Sequence, residues 1–555
     1  MKQKLRLTVS IVLFSIVQVL SQIPKGQIKG PFKFYSTIYP GTERNYWMYV
    51  PAQYDASKPA NCMIVQDGLS RANGWHLSEY LDTLIAEGKI PPIIGIYIDH
   101  GKVPSQDTVD YPRFNRSFEY DGLGDRYARF LIEEILPEIK KSYNISDDPN
   151  DRALAGASSG AICAFNAAWE RPDAFRRVLS TIGTYVGLRG ADQFHTLVRK
   201  TEPKPLRVFL EDGFRDLNIY AGDWYIANQQ MFSALTWAGY EVNHAWGEGE
   251  HSNRHALTII KDALIWLYEG YPTRISTHMD KYKGMRLVNN QDGWKEIKTS
   301  IQGISRLATN SQGEVYFISN QENGVWKLQG EAVSKLSGIN NKYAAIETDD
   351  HDRLILSDET RNQIIAFDGT KSTVFVDKTV SDRLESDNKG LYFTKRNAIG
   401  YLEYTTKKVS WMHTDHTVNA LCINAEHSFI NVSMSDHTKG HSVEINMDGS
   451  LSNDQEFIHY HIPDGKTTAN AQGGVVDTAN SLYTATNMGV QITDQLGRVN
   501  MILPTPSANN SDIAWGDPDM NRLYIISDGK LYGRKINTKG LRSADAKRKP
   551  PRPGL

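Results

Sequence analysis

The stretch Leu154-Ala-Gly-Ala-Ser-Ser-Gly-Ala-Ile-Cys-Ala-Phe165 decides how the chain folds. It holds Gly156-x-Ser158-x-Gly160, placed directly after the strand-like run Arg152–Ala155 and directly before the helix-like run Ala161–Glu170, which stops short of Pro172. Glycines two residues before and two after the serine let strand and helix approach closely, and Ala155, Ala157 and Ala161 widen that allowance. The turn thus exposes the Ser158 hydroxyl at a strand end and aims the Ser159 backbone N–H at whatever reacts there. Ser159 itself stands off the register of the motif.

Working outward, short apolar runs at Asn45–Val50, Cys62–Gln66, Ile93–Tyr97, Arg207–Leu210 and Val242–Trp246 read as further strands. Gly124–Tyr143 carries Tyr127, Phe130, Leu131, Ile135 and Ile139 at helical spacing, and Trp224–Ala238 and Arg254–Tyr268 also read as helices. Strands alternating with helices imply a mostly parallel sheet covered on both faces, the α/β-hydrolase arrangement.

A serine hydroxyl is a poor nucleophile and needs a base held by an acid, which in this fold follow it in the order acid, then histidine. His251, after Trp246-Gly-Glu-Gly-Glu and before a helix, falls in a strand-to-helix loop at the same sheet edge as Ser158, and is the expected base. His255 in the next helical turn is its rival and a candidate to line the site; His244 lies within a strand. Val208-Phe-Leu-Glu-Asp-Gly-Phe-Arg-Asp supplies the acid, with Asp216 expected and Asp212 the alternative. Beside Ser159, the second oxyanion donor is expected at Gly68 or Leu69 in Gln66-Asp-Gly-Leu.

After about Trp294 the helical pattern ends. Gly313-Glu-Val-Tyr-Phe, Asp352-Arg-Leu-Ile-Leu, Lys389-Gly-Leu-Tyr-Phe, His427-Ser-Phe-Ile-Asn, Asn480-Ser-Leu-Tyr-Thr and Asn521-Arg-Leu-Tyr-Ile recur at intervals of roughly 40 residues, the period of propeller blades. The fold class is therefore multidomain: an α/β domain at 22–273, a connector at 274–298, an all-β six-bladed propeller at 299–537 and a basic Pro-rich tail at 538–555. Residues 1–21, a basic start and then an apolar run from Leu7 to Leu20 too short to span a bilayer, read as a cleaved signal peptide. A periplasmic or secreted location is expected, with no stable membrane insertion after cleavage. Three cysteines without metal-like spacing suit a bacterial exported protein better than a disulfide scaffold, and a net charge of -2 gives no reason to expect nucleic acid as a partner.

Arg44-Asn-Tyr-Trp-Met-Tyr-Val-Pro, Gln66-Asp-Gly, Asp125–Pro137, Gly156-Ala-Ser-Ser-Gly and Gly249-Glu-His together resemble the enterochelin esterase-like hydrolases, relatives of feruloyl and acetyl-xylan esterases, over about Gly30 to Tyr271. That resemblance implies a Ser158, Asp216, His251 triad and neither metal nor organic cofactor. It also likens Arg116 and Glu119 to a polar stretch bordering the substrate cleft, with a surface ion pair as the other reading. The second half resembles the gluconolactonase and regucalcin propellers, through Gly489-Val-Gln-Ile-Thr-Asp-Gln-Leu-Gly-Arg-Val and Val418-Asn419-Ala. Members of that family hold one divalent metal on the axis through a Glu, Asn residues and an Asp. Here Ser305-Arg-Leu stands where Glu-Gly-Pro would open the first blade, and Gln472-Gly stands for Asp-Gly, leaving Asn419 as the clean match. A divalent ion without a carboxylate is poorly held, so no metal is expected and the propeller reads as a binding module.

The expected function is an exported serine esterase acting on a small-molecule or polysaccharide ester, of feruloyl or acetyl type. Trp75, Trp224, Tyr225 and Trp246 near the site loops favour a sugar-linked substrate, with Trp224 a candidate contact. A siderophore ester is the alternative substrate, and a carbohydrate-binding scaffold with an inactive hydrolase domain is the alternative of another class.

Overall fold

The computed structural model describes residues 23–107, 109–282 and 293–553. The signal segment 1–21 and the middle of the connector lie outside the described residues.

The first domain is built on eight principal strands: β1 (Gln27–Tyr35), β2 (Glu43–Val50), β3 (Asn61–Gln66), β4 (Ile93–Ile98), β5 (Arg152–Ala157), β6 (Arg177–Thr181), β7 (Arg207–Arg215) and β8 (Glu241–Glu250). Their order is β8-β7-β6-β5-β3-β4-β2, with β1 on β2 and two short strands, Lys102–Val103 and Arg113–Phe114, extending the β2 side. From β8 to β4 every pairing is parallel, and β2 turns antiparallel to β4.

The central strands are apolar runs because both their faces are buried. Alternate side chains go to opposite faces, so Cys62, Ile64 and Leu154 join one apolar cluster, and Met63, Val65, Ala153 and Ala155 join the other. Helices α1 (Gly68–Gly74), α2 (Leu77–Ala86) and α5 (Asn253–Leu267) cover the second face through Ala72, Leu81, Ile260 and Leu264. The first face is covered by α3 (Ser159–Glu170), α4 (Trp224–Trp237) and the helical stretch Arg126–Lys140, through Phe165, Met231 and Phe130. That last stretch follows the expected helix but widens to a π turn over Phe130–Ile135.

The second domain is six four-stranded antiparallel sheets among the described residues. Each of the six recurring sequence pieces runs into the second strand of its blade, from Val315–Ser319 in the first to Arg522–Ser527 in the last. The ring closes because Lys295–Glu296, within the stretch read as connector, adds the outermost strand to the last blade. The basic C-terminal stretch crosses one end of the propeller. Gly540 bridges to Asp477, Leu541 N–H donates to Val476 O at 3.0 Å, and Arg542 donates to Asp352 at 3.0 Å.

The two domains share one continuous apolar cluster, to which Met279 and Tyr282 of the first and Tyr483 and Trp515 of the second belong. Glu202 N–H donates to Ile502 O at 3.0 Å, and both Glu202 oxygens accept from Arg534 at 2.7 and 2.6 Å. These contacts arise just before β7 begins, whereas Ser158 sits at the carboxyl ends of the parallel strands. Nine residues of β7 at ~3.3 Å each separate the two ends by ~30 Å. The propeller is therefore docked on the end of the sheet away from Ser158.

Arg534→Ala should cost about 2–3 kcal/mol, the scale of charge-assisted hydrogen bonds, in denaturant unfolding followed by tryptophan fluorescence. The chemistry at Ser158 should stay at its parent rate per folded molecule, and a parallel loss there would contradict this docking.

Candidate active site

Ser158 caps α3 with φ 58° and ψ -124°, a conformation that side-chain-bearing residues hold only when their surroundings enforce it. The enforcement comes from Gly156: a Cβ there would lie 2.1 Å from the Gly160 carbonyl oxygen, so strand and helix could not meet with any other residue. Held this way, Ser158 Oγ is 2.9 Å from His251 Nε2 and 3.4 Å from Thr184 Oγ1. His251 Nδ1 is in turn 2.5 Å from Asp216 Oδ1, which also accepts the Leu217 N–H at 2.6 Å. Asp216 is fully buried, and its backbone N–H closes a turn on Gly213 O. The two loops run side by side because Gly213 packs on Gly249, where a Cβ would strike the Gly249 carbonyl oxygen at 2.2 Å. Ser252 caps α5 by accepting the Arg254 N–H, which fixes where His251 leaves the strand.

The structure thus brings Ser158, His251 and Asp216 into one hydrogen-bonded series and leaves the rivals in other places. His255 Nδ1 pairs with buried Glu211 at 2.6 Å, a bond that raises the imidazole above its ordinary pKa. His244 packs against Phe232, with ring centroids 4.2 Å apart and the rings tilted by 52°. Asp212 stands behind Asp216. Its Oδ2 accepts from Asn228 Nδ2 at 2.7 Å and its Oδ1 from Gly213 N–H at 2.7 Å. Burial and the neighbouring Asp216 carboxylate push Asp212 far above the usual carboxylate range. Two carboxyls this close cannot both ionise, and we assign the proton to Asp212, whose charged form burial and Asp216 disfavour, which makes it a hydrogen-bond donor to Asp216.

Ser159 opens α3, and Gly68 and Leu69 open α1, so these N–H groups have no carbonyl partner within their own helices. Asp67 precedes them in left-handed conformation (φ 64°) and takes a bidentate pair from Arg116 at 2.8 and 2.7 Å. Arg116 also reaches the Ala157 carbonyl at 3.5 Å, tying the α1 turn to the Ser158 turn. The Arg116 charge is engaged by Asp67.

Two expectations need correction. Glu119 is neither cleft-lining nor a surface ion pair: it is 1% exposed, held by both guanidinium nitrogens of Arg44 and by Gly101 N–H at 3.1 Å. Trp224 is 2% exposed, with its indole donating to Thr184 Oγ1 at 3.2 Å and its ring 5.9 Å from that of His251. It props the imidazole and offers no open face to a substrate, and Trp75 is equally buried. Thr184, Asn228 and His100 were not legible in advance. His100 lies 3.9 Å from Asp67, and burial pushes it down to about 4, so it is neutral beside the site.

At the propeller axis the structure departs from the expectation, since the carboxylates of Glu347, Glu385 and Asp512 line the axial cavity. The Arg383 guanidinium shares this cavity, donating to the Asn419 carbonyl, to Gln472 Oε1 at 3.2 Å and to Ser511 O at 3.4 Å, with Asp512 at 3.6 Å. A fixed cation already lies among the groups that would hold the ion.

A serine held on such an elbow, with histidine and buried carboxylate in series, defines the class as an α/β-hydrolase. Residues 37–319 match the esterase family model, described as "Putative esterase", over more than half of the chain, and the protein belongs to that family. Residues 304–529 match the model for the SMP-30/Gluconolactonase/LRE-like region. The Iron(III) enterobactin esterase of Dickeya dadantii is 28% identical over 243 residues, covering 41% of this chain and 52% of that protein. That of Escherichia coli is 26% identical over 198 residues, 35% of this chain and 45% of that protein. The chain thus spans about half the length of these relatives. A solved gluconolactonase from Xanthomonas campestris is 16% identical with a TM-score of 0.40, covering 44% of this chain and 90% of that one. The chain thus joins an esterase-family domain to a gluconolactonase-like propeller.

Asp216→Asn should lower kcat by ~10⁴-fold, because an amide misdirects the imidazole tautomer. Asp212→Asn keeps a donor toward Asp216 and should cost no more than ~10-fold, the scale of one neutral hydrogen bond. Asp212→Ala removes the support and should cost ~10²-fold through misplacement. Steady-state kinetics on one ester, with all three variants, reads this order; Asp212→Asn as damaged as Asp216→Asn would identify Asp212 as the working acid.

Proposed function

We propose that this protein is an exported serine esterase that cleaves its ester through an acyl-enzyme on Ser158. The observation that carries this is the series Ser158 Oγ, His251, Asp216 at 2.9 and 2.5 Å. In this reading His251 Nε2 takes the serine proton as Oγ attacks the ester carbonyl. The oxyanion is met by the Ser159 N–H and by Gly68 or Leu69 at the start of α1. The imidazolium then protonates the departing alcohol, water repeats the sequence in reverse, and Asp216 holds the ring throughout.

The mouth of the site supports an aromatic or otherwise apolar acyl group. Tyr111, Phe114 and Phe118 on one loop and Phe214, Leu217, Ile219 and Tyr220 on another are exposed. Arg189 links these loops, donating to Ser117 Oγ at 3.2 Å, while neighbouring Gly187 N–H donates to Ala221 O at 2.9 Å. Arg116 beside the Ser158 turn is paired with Asp67, and Arg189 between the loops lies over the Phe118 ring. This favours a feruloyl- or acetyl-type ester linked to carbohydrate. A siderophore ester is the second reading, favoured by the likeness to the two enterobactin esterases.

The test is hydrolysis of p-nitrophenyl acetate, methyl ferulate, acetylated xylan and a catecholate siderophore by the protein and its Ser158→Ala variant. We expect methyl ferulate to lead and the variant to lose about 10⁶-fold, the scale for removing a serine nucleophile. Preference for the siderophore would select the second reading, and equal rates in protein and variant would overturn the serine mechanism.

A further inference from the structure

The fourth blade carries an unusual concentration of imidazoles far in sequence from Ser158. The hairpin Ser435-Asp-His-Thr-Lys-Gly-His441 joins the strand Phe429–Met434 to Lys439–Ile445, placing His437 in the turn and His441 in the strand. His437 Nδ1 lies 2.8 Å from His441 Nε2. His441 is also the cross-strand partner of Glu456, so the pleat puts both side chains on one face of the blade. One donor atom from each of His437, His441 and Glu456 falls within 4.8 Å of the others. His416, its ring 4.3 Å from that of His437, stands beside them with Asp436 bound at 2.7 Å.

We propose that this edge of the fourth blade is a binding site for a divalent transition-metal ion of the zinc class, with His437 Nδ1, His441 Nε2 and Glu456 as ligands. Imidazole nitrogen and carboxylate oxygen are the donors such ions take. The decisive detail is Asp454, whose Oδ1 lies 2.8 Å from His441 Nδ1. A carboxylate there holds the His441 proton on Nδ1 and leaves Nε2 as a lone pair facing His437, the support that metal-bound histidines characteristically have. Without an ion, His437 donates its Nδ1–H to that lone pair. Binding needs that proton on His437 Nε2 instead, a tautomer change with no net proton released.

The geometry requires little movement. Nitrogens bound tetrahedrally at ~2.0–2.1 Å stand ~3.3 Å apart, so the two rings need to open by only ~0.5 Å. The Lys439–Glu456 pair at 2.8 Å must yield, and an ion pair this exposed is weak. At the axis, by contrast, the guanidinium of Arg383 already lies among the polar groups, donating to Asn419 and Gln472. The site is thus separate from both the ester chemistry and the position its propeller relatives use.

The test is isothermal titration of the full chain, stripped by chelator and free of any polyhistidine tag, with zinc chloride. One ion per chain at a Kd of ~1 µM or tighter is expected. Asp454→Asn should weaken it ~10–100-fold while leaving every ligand in place. His437→Ala, in an exposed turn that the fold does not need, should abolish it, as should His441→Ala. His251→Ala should leave it unchanged, which excludes the imidazole beside Ser158 as the zinc ligand. Absence of binding by the parent chain up to ~100 µM zinc, or parent-like binding by the His437→Ala and His441→Ala variants, would overturn the proposal.

Discussion

The contact between Gly156 and the Gly160 carbonyl is the constraint on which the chemistry of the first domain depends. A Cβ there would sit 2.1 Å from that oxygen, so the pair permits a strand to turn into a helix within one residue. Ser158 is that residue, and its positive φ is the geometric consequence. From it follow the exposure of Oγ, the alignment of free N–H groups at the start of α3, and the bond to His251. The same device recurs at Gly213 and Gly249, where close approach brings the Asp216 and His251 loops together. Two backbone contacts, neither involving a catalytic side chain, thus set the distances between three side chains drawn from widely separated parts of the chain.

Much of this was legible in the amino-acid order because the signals were local. Continuous apolar runs mark strands buried on both faces, and Gly-x-Ser-x-Gly between a strand and a helix marks the elbow. What escaped had weaker local signals. Strand β6 reads Arg-Val-Leu-Ser-Thr, with two apolar residues out of five, and its Arg177 is buried because its guanidinium donates to Asn150 O at 2.9 Å. Helices α1 and α2 follow left-handed Asp67 and His76, which no periodicity announces. Glu119 looked like a surface charge because Arg44 lies 75 residues away in sequence, and only the fold brings them together. Trp224 was misread for a related reason. An aromatic beside a site loop can face the cleft or support the base from behind, and spacing does not distinguish the two.

Asp212 shows how burial changes what a residue can do. At the surface a second carboxylate beside Asp216 would repel it and spoil the orientation of His251. Buried and bonded by Asn228, it is held neutral and becomes a donor. The same residue type therefore supplies a charge at one position and removes one at the next, and the difference lies in environment alone.

The placement of the propeller separates two surfaces within one chain. Its contacts come from residues that precede β7 and from the bidentate pair of Glu202 and Arg534, while the mouth of the ester site opens at the far end of the same strands. With the Glu202–Arg534 contact at the end away from Ser158, an influence of the propeller on substrate choice would come through tethering. A ligand held by the propeller raises the local concentration of an attached ester without touching the reacting atoms. Such tethering acts on large or immobilised substrates and not on small ones. Under the proposed function, this architecture would suit an ester carried on an extended polymer, and the apolar mouth would limit what that ester presents to Ser158.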